Sequence, residues 1–450
     1  MGRGDILLVA GSTILTLAAV EYALRIAGIE YPDFYQPDAV RGGALRPGAS
    51  GWYRQEGGAY VQINSDGLRD VEHAVGKPAG VFRIAVLGDS YAEALQVPLE
   101  RTFWHVLGQR LRAGCRRRVE VMNFGVGGYG TGQEWLTLTG AVWKYRPDLV
   151  MLAFLTGNDV RDNLRELNPV GMRPYFDMRN GRLVTDRSFR SLVARRDSLV
   201  WRFYHAVRAR SRLVQLAARA KDGAGPPPRA GEEPGLDSRV YLDPRAGGPE
   251  ALVWGRAWEV TEAILDRMAA EVARRGARFV VVTLTNAIQV DPDPARRRQF
   301  AGRIGAADLF YPDERIALWG RGREVPVITL APEMAALAEQ RRVYFHGFAN
   351  TRPGSGHWNE EGHRVAGELI AARLCVVRWF QHVAPSRDRK GAVEDLRKQA
   401  LEHDFQGELD APRVGGGVEA ERGSAGEAVH AAQVVRAVEV SRIEADDVVD

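Results

Sequence analysis

Four short stretches carry side chains able to do acyl-transfer chemistry together. They are Gly88-Asp89-Ser90, "NFGVGGYG" from Asn123 to Gly130, "TGNDVRDN" from Thr156 to Asn163, and "GSGHWNEEGH" from Gly354 to His363. A serine hydroxyl is a weak nucleophile until a neighbouring base takes its proton. Imidazole titrates near neutrality and suits that task. Attack on an ester carbonyl develops a negative oxygen, and each fixed donor aimed at it is worth about 3 kcal/mol in the transition state. Ser90 and His357 are therefore the candidate nucleophile and base. The backbone N–H groups of Ser90 and Gly128 and the side-chain amide of Asn158 are the candidate donors.

Each residue also has a plainer reading. Asp89 or Ser90 could simply cap a helix. Gly128 is one of several turn glycines, and Gly125 or Gly127 could be the donor instead. Asn158 could cap a loop, and His357 could be a structural surface histidine. His363 stands six residues after His357, not at the i, i+4 spacing that places two zinc ligands on one helix face. It reads as a helix-face residue, and Asn359 as the cap of the last helix. No metal or cofactor is expected.

The first three stretches each follow an apolar run that reads as a strand. Ile84–Leu87, Val119–Asn123 and Leu149–Leu155 are short and nearly continuous, as when both faces of a sheet are covered. Phe103, Val106, Leu107 and Leu111 share one helical face in Thr102–Leu111. Gln133–Tyr145 reads as a second helix, stopped by Pro147. A further helix over Glu250–Arg275, a strand Phe279–Leu284, a Pro-Arg loop, a strand Val325–Leu330, a helix from Pro332 and a last helix over Glu360–Val377 complete the rhythm. Tyr344 and Phe345 read as one more short strand. The expected fold class is α/β: a three-layer α/β/α sandwich around a mostly parallel central sheet, with an insertion after the third core strand. Ligands in such folds collect at the carboxyl ends of the strands, which puts the first three stretches on one rim.

Matched block by block, the chain resembles the SGNH/GDSL hydrolase family, whose four blocks hold a Ser in a GDS, a Gly, an Asn in a GND and a His. It is most similar to a bacterial branch with an N-terminal membrane anchor that carries "GYGT", "GND" and "HWN..GH" segments. The likeness runs from about Tyr31 to Arg378, the insertion being loosely covered. It implies a flavodoxin-like hydrolase fold, Ser90 as nucleophile, His357 as general base, and Gly128 and Asn158 in the oxyanion hole. One departure stands out. The family's triad acid lies two or three residues before the histidine, where this chain has Gly354 and Ser355, and no Asp or Glu lies between Val343 and Gly356. Neutralising that acid in the serine-protease template costs about four decades in rate. A weakened Ser–His dyad is therefore expected, with Ser355→Asp raising the rate.

The ends of the chain bound its setting. "ILLVAGSTILTLAAV", Ile6 to Val20, is uncharged, and apolar residues continue to Ile26. A spanning helix needs roughly 20 apolar residues. With no convincing small-x-small cleavage site, residues 1–28 read as an uncleaved signal anchor in preference to a cleaved leader, with a buried soluble helix third. Arginines flank both sides, so charge does not orient it. The body of the chain is expected outside the cytoplasm, in the periplasm or at the cell surface, because such anchors commonly lead it across. Residues 29–80 read as an irregular extension packing on the core, with a turn at Asp66-Gly67. Residues 81–384 form the hydrolase domain. Its insertion, 161–248, is read as a lid or subdomain, with a short hairpin at Arg179–Leu183, an arginine-rich helix around Ser198–Lys221 and a Pro-Gly linker. Residues 385–450 are charged, poor in large apolars, and expected to be a disordered tail.

The 450 residues are 45% hydrophobic and 26% charged, with a formal net charge of +4 carried by scattered arginines. No basic stripe with interleaved aromatics occurs, so nucleic acid is not an expected partner. Cys115 and Cys375 sit in different predicted helices; their spacing neither demands nor forbids a disulfide. The expected function is hydrolysis of a carboxylic O-acyl ester on a small molecule, glycan or lipid through an acyl-serine. An O-acyltransferase acting on an exopolysaccharide and an inactive binding module are the alternatives.

Overall fold

A computed structural model describes residues 2–115, 118–169, 171–222, 236–248 and 250–376. The expected tail and the Pro-Gly linker lie outside these residues.

Helix α1 (Arg3–Ile26) opens the chain, and none of its residues is buried. Two antiparallel hairpins follow: β1 (Tyr35–Asp38) with β2 (Gly42–Leu45), and β3 (Ser50–Tyr53) with β4 (Ala59–Gln62). The extension is thus more regular than its Gly- and Pro-rich sequence suggested. Its apolar positions Phe34, Leu45, Val61 and Ile63 pack with Leu95, Val126 and Tyr129 from the rim of the main sheet.

That sheet is built from β5 (Phe82–Gly88), β6 (Val119–Asn123), β7 (Leu149–Leu155), β10 (Arg278–Leu284) and β11 (Val327–Thr329). Among the described residues its order is β11-β10-β7-β5-β6, parallel throughout. Ranked along the chain this is the 2-1-3-4-5 order of the flavodoxin-like doubly wound sheet. The helices are α2 (Ser90–Glu93), α3 (Phe103–Gly114), α4 (Thr131–Thr137), α8 (Ala251–Arg274), α9 (Pro294–Ile304), α10 (Tyr311–Arg321), α11 (Ala331–Arg341) and α12 (Glu360–Val376). The insertion holds β8 (Tyr175–Arg179), β9 (Arg182–Asp186), α5 (Arg190–Arg196), α6 (Leu199–Arg210) and α7 (Arg212–Asp222).

Every residue of β7 is buried, which is why it reads as an unbroken apolar run. Even-numbered side chains Val150, Leu152 and Phe154 pack with Trp254, Trp258, Ile264 and Met268 of α8. Odd-numbered Leu149, Met151 and Ala153 pack with Phe103 and Trp104 of α3, Met334 of α11 and Ile370 of α12. Each large apolar side chain buried this way contributes about 1.5–3 kcal/mol relative to exposure. The result is the three-layer α/β/α sandwich that the sequence predicted.

Four expectations need correction. The Pro-Arg stretch is not a loop but forms α9 and α10, with Pro294 and Pro312 in the first turn, where a missing N–H costs nothing. The arginine-rich helix breaks into α6 and α7 at Ser211, whose backbone is extended. The helix expected over Gln133–Tyr145 runs regularly only to Thr137, then continues as a π turn and a 3₁₀ turn. Tyr344 and Phe345 form no strand; an isolated bridge pairs His346 with Trp358.

Cys115, at the end of α3, is disulfide-bonded to Cys375, at the end of α12. The bond ties two helices that share one face of the sheet. Reducing it, or replacing both cysteines by serine, is expected to cost about 2–5 kcal/mol of stability. Thermal melts with and without reductant check this.

Candidate active site

Strand β5 ends at Gly88, and Asp89 leaves the extended conformation at φ −98°, ψ −142°. Its carboxylate accepts the Tyr91 N–H at 2.9 Å, capping the single turn of α2. Asp89 is thus the cap, and Ser90 is free to present its hydroxyl from the first helical position. Burial pushes the Asp89 carboxyl up to about 6, against the bonds it accepts from Tyr91 and Asn158.

The Ser90 hydroxyl lies 2.8 Å from His357 Nε2. The opposite ring nitrogen, Nδ1, is 2.5 Å from Glu56 Oε2, and the His357 backbone N–H donates to Glu56 Oε1 at 2.8 Å. Both carboxylate oxygens therefore hold one residue, fixing the ring plane and leaving Nε2 toward Ser90. Burial of the imidazole lowers its pKa, but the hydrogen bond and charge of Glu56, with smaller effects from Asp89 and Glu93, hold it above the usual value. Burial likewise raises the Glu56 pKa, and His357 more than offsets this, leaving the carboxyl below its ordinary range.

Glu56 sits in the loop joining β3 to β4, and a second loop clamps it. Asn350 accepts the Gly57 N–H at 2.9 Å and donates to the Gly57 carbonyl at 2.8 Å and the Arg54 carbonyl at 3.3 Å. Gly356, at φ +73°, leaves room for the carboxylate, since a Cβ there would fall 2.0 Å from Glu56 Oε1. The Gly354/Ser355 departure is thereby corrected. The Ser355 hydroxyl donates to the Arg352 carbonyl and does not orient the imidazole; the place beside Nδ1 is filled by Glu56, 301 residues away in sequence.

A buried relay fixes the His357 loop from below. Trp358 Nε1–H donates to Thr285 Oγ1 at 2.7 Å, Thr285 lies 3.1 Å from His346 Nε2, and His346 Nδ1 lies 2.8 Å from the Gly356 carbonyl. Burial pushes His346 down to about 4, so it is neutral. A proton on Nδ1 satisfies every member: Thr285 donates to Nε2, and Nδ1–H donates to Gly356. Tyr91 packs its ring 5.1 Å from His357 and donates to the same carbonyl at 3.1 Å.

The candidate donors converge on the same rim. Asn158 Nδ2 donates to Asp89 Oδ2 at 2.8 Å, with a longer approach of 3.4 Å to the Tyr129 carbonyl. Of the three glycines, Gly125 gives its N–H to Asn123 Oδ1 at 3.0 Å, and the Gly127 N–H faces the Glu93 carboxyl and helps offset its burial. Gly128, at φ +75°, takes the left-handed backbone that favours glycine, and no hydrogen bond from its N–H is recorded among the described residues. The insertion steadies it: Arg173 donates to the Gly128 carbonyl and pairs with Asp162 at 2.7 Å. Glu93 supports the loop from inside the core, where burial pushes it up to about 7 and Tyr35 donates to it at 2.8 Å.

The structure thus brings Ser90, His357, Gly128 and Asn158 to one rim. The sequence reading missed Glu56, Arg173 and the Thr285–His346 relay. Asn359 caps α12 as expected, accepting the Gly362 N–H at 2.9 Å. His363 is a buried helix residue whose Nδ1 accepts the Phe103 N–H at 3.2 Å.

No family model matches the chain, and no curated protein matches it. Among solved structures, an acetyl xylan esterase aligns at 12% identity and a TM-score of 0.34, covering 66% of this chain and 100% of its own. A catalytic mutant of the acetylxylan esterase Axe2 from Geobacillus stearothermophilus aligns at 12% and 0.34, covering 68% and 97%. A lipolytic protein of the G-D-S-L family from Desulfitobacterium hafniense DCB-2 aligns at 10% and 0.29, covering 64% and 97%. Overlaps at this level leave the chemistry of the site to its own geometry.

The electrostatics give a direct expectation. His357 should titrate above 6.5 in the intact protein, and in Glu56→Gln, where burial is less opposed, its pKa should fall. NMR titration of the imidazole resonances in both proteins measures the shift; an unchanged value would show that Glu56 does not hold the imidazolium.

Proposed function

We propose that this protein is a serine esterase of the SGNH/GDSL type, hydrolysing a carboxylic O-acyl ester through an acyl-Ser90 intermediate. The observation that carries the reading is the unbroken line Ser90 Oγ to His357 Nε2 at 2.8 Å and His357 Nδ1 to Glu56 at 2.5 Å. In the proposed reaction His357 takes the Ser90 proton as Oγ bonds to the acyl carbon. The carbonyl oxygen becomes an oxyanion facing the N–H groups of Ser90 and Gly128 and the Asn158 amide, whose second hydrogen exchanges its long 3.4 Å contact with the Tyr129 carbonyl for the oxyanion. The C–O bond to the alcohol then breaks, and the leaving oxygen takes the proton back from His357. Water repeats the sequence and releases the acid.

Glu56 supplies the role the family gives to an acid beside the histidine: it fixes the tautomer with the proton on Nδ1 and stabilises the imidazolium as it forms. The weakening expected from Gly354 and Ser355 therefore loses its support. The family's usual substrates support an acyl group on a carbohydrate or lipid. A 24-residue helix with no buried residue, holding an 18-residue window of mean hydropathy 1.8, supports attachment to a membrane. The Cys115–Cys375 bond supports an oxidising compartment, and so an extracytoplasmic domain.

Incubation with a fluorophosphonate probe should label Ser90 and leave Ser90→Ala unlabelled. Intact-mass measurement with p-nitrophenyl acetate should show one acetyl group trapped transiently. No labelling of the folded wild-type protein would end the reading. Glu56→Gln should lower kcat by about two to four orders of magnitude, with its acid limb moved down in pH. Ser355→Asp should leave the rate unchanged.

A further inference from the structure

Helix α6 of the insertion carries two faces of opposite character. Tyr204, His205 and Arg208 form the inner one, with Trp201, itself 39% exposed, at its edge; His205 Nδ1 lies 3.1 Å from Asp33 Oδ2, and Trp201 and Tyr204 meet edge-to-face at 5.5 Å. On the outer side Leu199, Val200 and Phe203 are 81%, 78% and 71% exposed. Apolar side chains that exposed and that close together are unusual on a soluble surface unless something covers them. The flanking arginines Arg195, Arg196 and Arg202 are exposed and, among the described residues, pair with no carboxylate.

The place of this face in the fold indicates what covers it. Leu199, Phe203, Ala206 and Arg210 follow one another at helical spacing along a single stripe. At the end of that stripe, Arg25 of α1 donates to the Arg210 carbonyl. Glu21 of α1 caps α7, accepting the Arg212 and Leu213 N–H groups and the Ser211 hydroxyl, each at 2.9 Å. From Arg3 to Glu21 the helix rises about 27 Å, close to the roughly 30 Å hydrocarbon core of a bilayer. The α6–α7 junction is therefore held where α1 would leave the hydrocarbon.

We infer that the outer face of α6 is a membrane-contact surface: it lies in the interface of the leaflet from which α1 emerges, with Leu199 and Phe203 in the acyl boundary and Arg195, Arg196 and Arg202 on anionic headgroups. This is the arrangement expected of an interfacial amphipathic helix, with arginine stems lying along the apolar surface. It rests on α1 being a membrane anchor, and it adds a second contact that sets how the active-site rim faces the bilayer.

The test uses full-length protein, disulfide intact, in vesicles of phosphatidylcholine and phosphatidylglycerol. One environment-sensitive fluorophore is attached to a single introduced cysteine: Phe203→Cys, Leu15→Cys in α1, or Leu318→Cys near the end of α10, which leads back to the amino-terminal edge of β11. Doxyl-labelled lipid should quench positions 15 and 203 by about threefold or more relative to 318, with iodide showing the reverse order. Arg195→Gln/Arg196→Gln/Arg202→Gln should weaken quenching at 203 in anionic vesicles while leaving 15 unchanged. Quenching at 15 but not at 203 would overturn the inference and leave the anchor standing. Quenching at neither would overturn the anchor and the inference with it. A probe at 203 shielded from iodide yet untouched by doxyl lipid would assign the face to a second copy or another protein, and would also overturn it.

Discussion

A carboxylate and an imidazole separated by 301 residues share a 2.5 Å contact, and the rest of the site is arranged around that pair. Half-burying a charged pair costs desolvation unless the geometry returns it. Here the return comes from both oxygens of Glu56, one on the His357 backbone and one on its ring. Such a pair is fixed only if both loops are fixed. The Asn350 clamp secures the carboxylate's loop, and the Trp358–Thr285–His346–Gly356 relay secures the imidazole's. Neither side chain holds itself.

This requirement gives the amino-terminal extension a purpose. Its hairpins do not extend the main sheet; they pack on the rim through Phe34, Val61 and Ile63 and carry Glu56 into the site. The extension reaches the other loops too: the Tyr129 hydroxyl donates to the Gly43 carbonyl at 2.7 Å, and Gln133 donates to the Arg41 carbonyl at 2.7 Å. The insertion plays a similar part through Arg173 on Gly128. Two segments that read as attachments to a core are therefore parts of the site's scaffold.

What was legible in the sequence follows from the same physics. β5 and β7 are buried on both faces, so their apolar runs are unbroken and their ends are sharp. Helix α9 buries Ala301 alone among its residues, so no apolar stripe marks it, and its proline looked like a breaker although it begins the helix. The split of α6 from α7 at Ser211 is set by Glu21, a tertiary cap that local periodicity does not record. Ser90, Asn158 and His357 were readable because each stands in a compact block beside a strand end or helix start. Glu56 stands alone in "YRQEGGAY", and only the packing of its hairpin against the His357 loop gives it meaning.

The carboxyls around the site carry a cost in stability that bears on how it works. Asp89 and Glu93 are fully buried, and burial holds them near 6 and 7 respectively, well above unfolded values. An acid whose folded pKa is raised binds more protons in the native state, so stability falls as pH rises from its unfolded value through its folded one. For Glu93 that window runs from about 4.5 to about 7. The fold accepts this loss near neutral pH, where Glu93 begins to ionise beside Tyr35 and the Gly127 N–H. Ionised, Asp89 and Glu93 both raise the His357 pKa, adding to the larger effect of Glu56. The charges that tax the folded state are thus the same charges that favour an imidazolium at His357, the species it would form at the top of the barrier in the proposed role of general base.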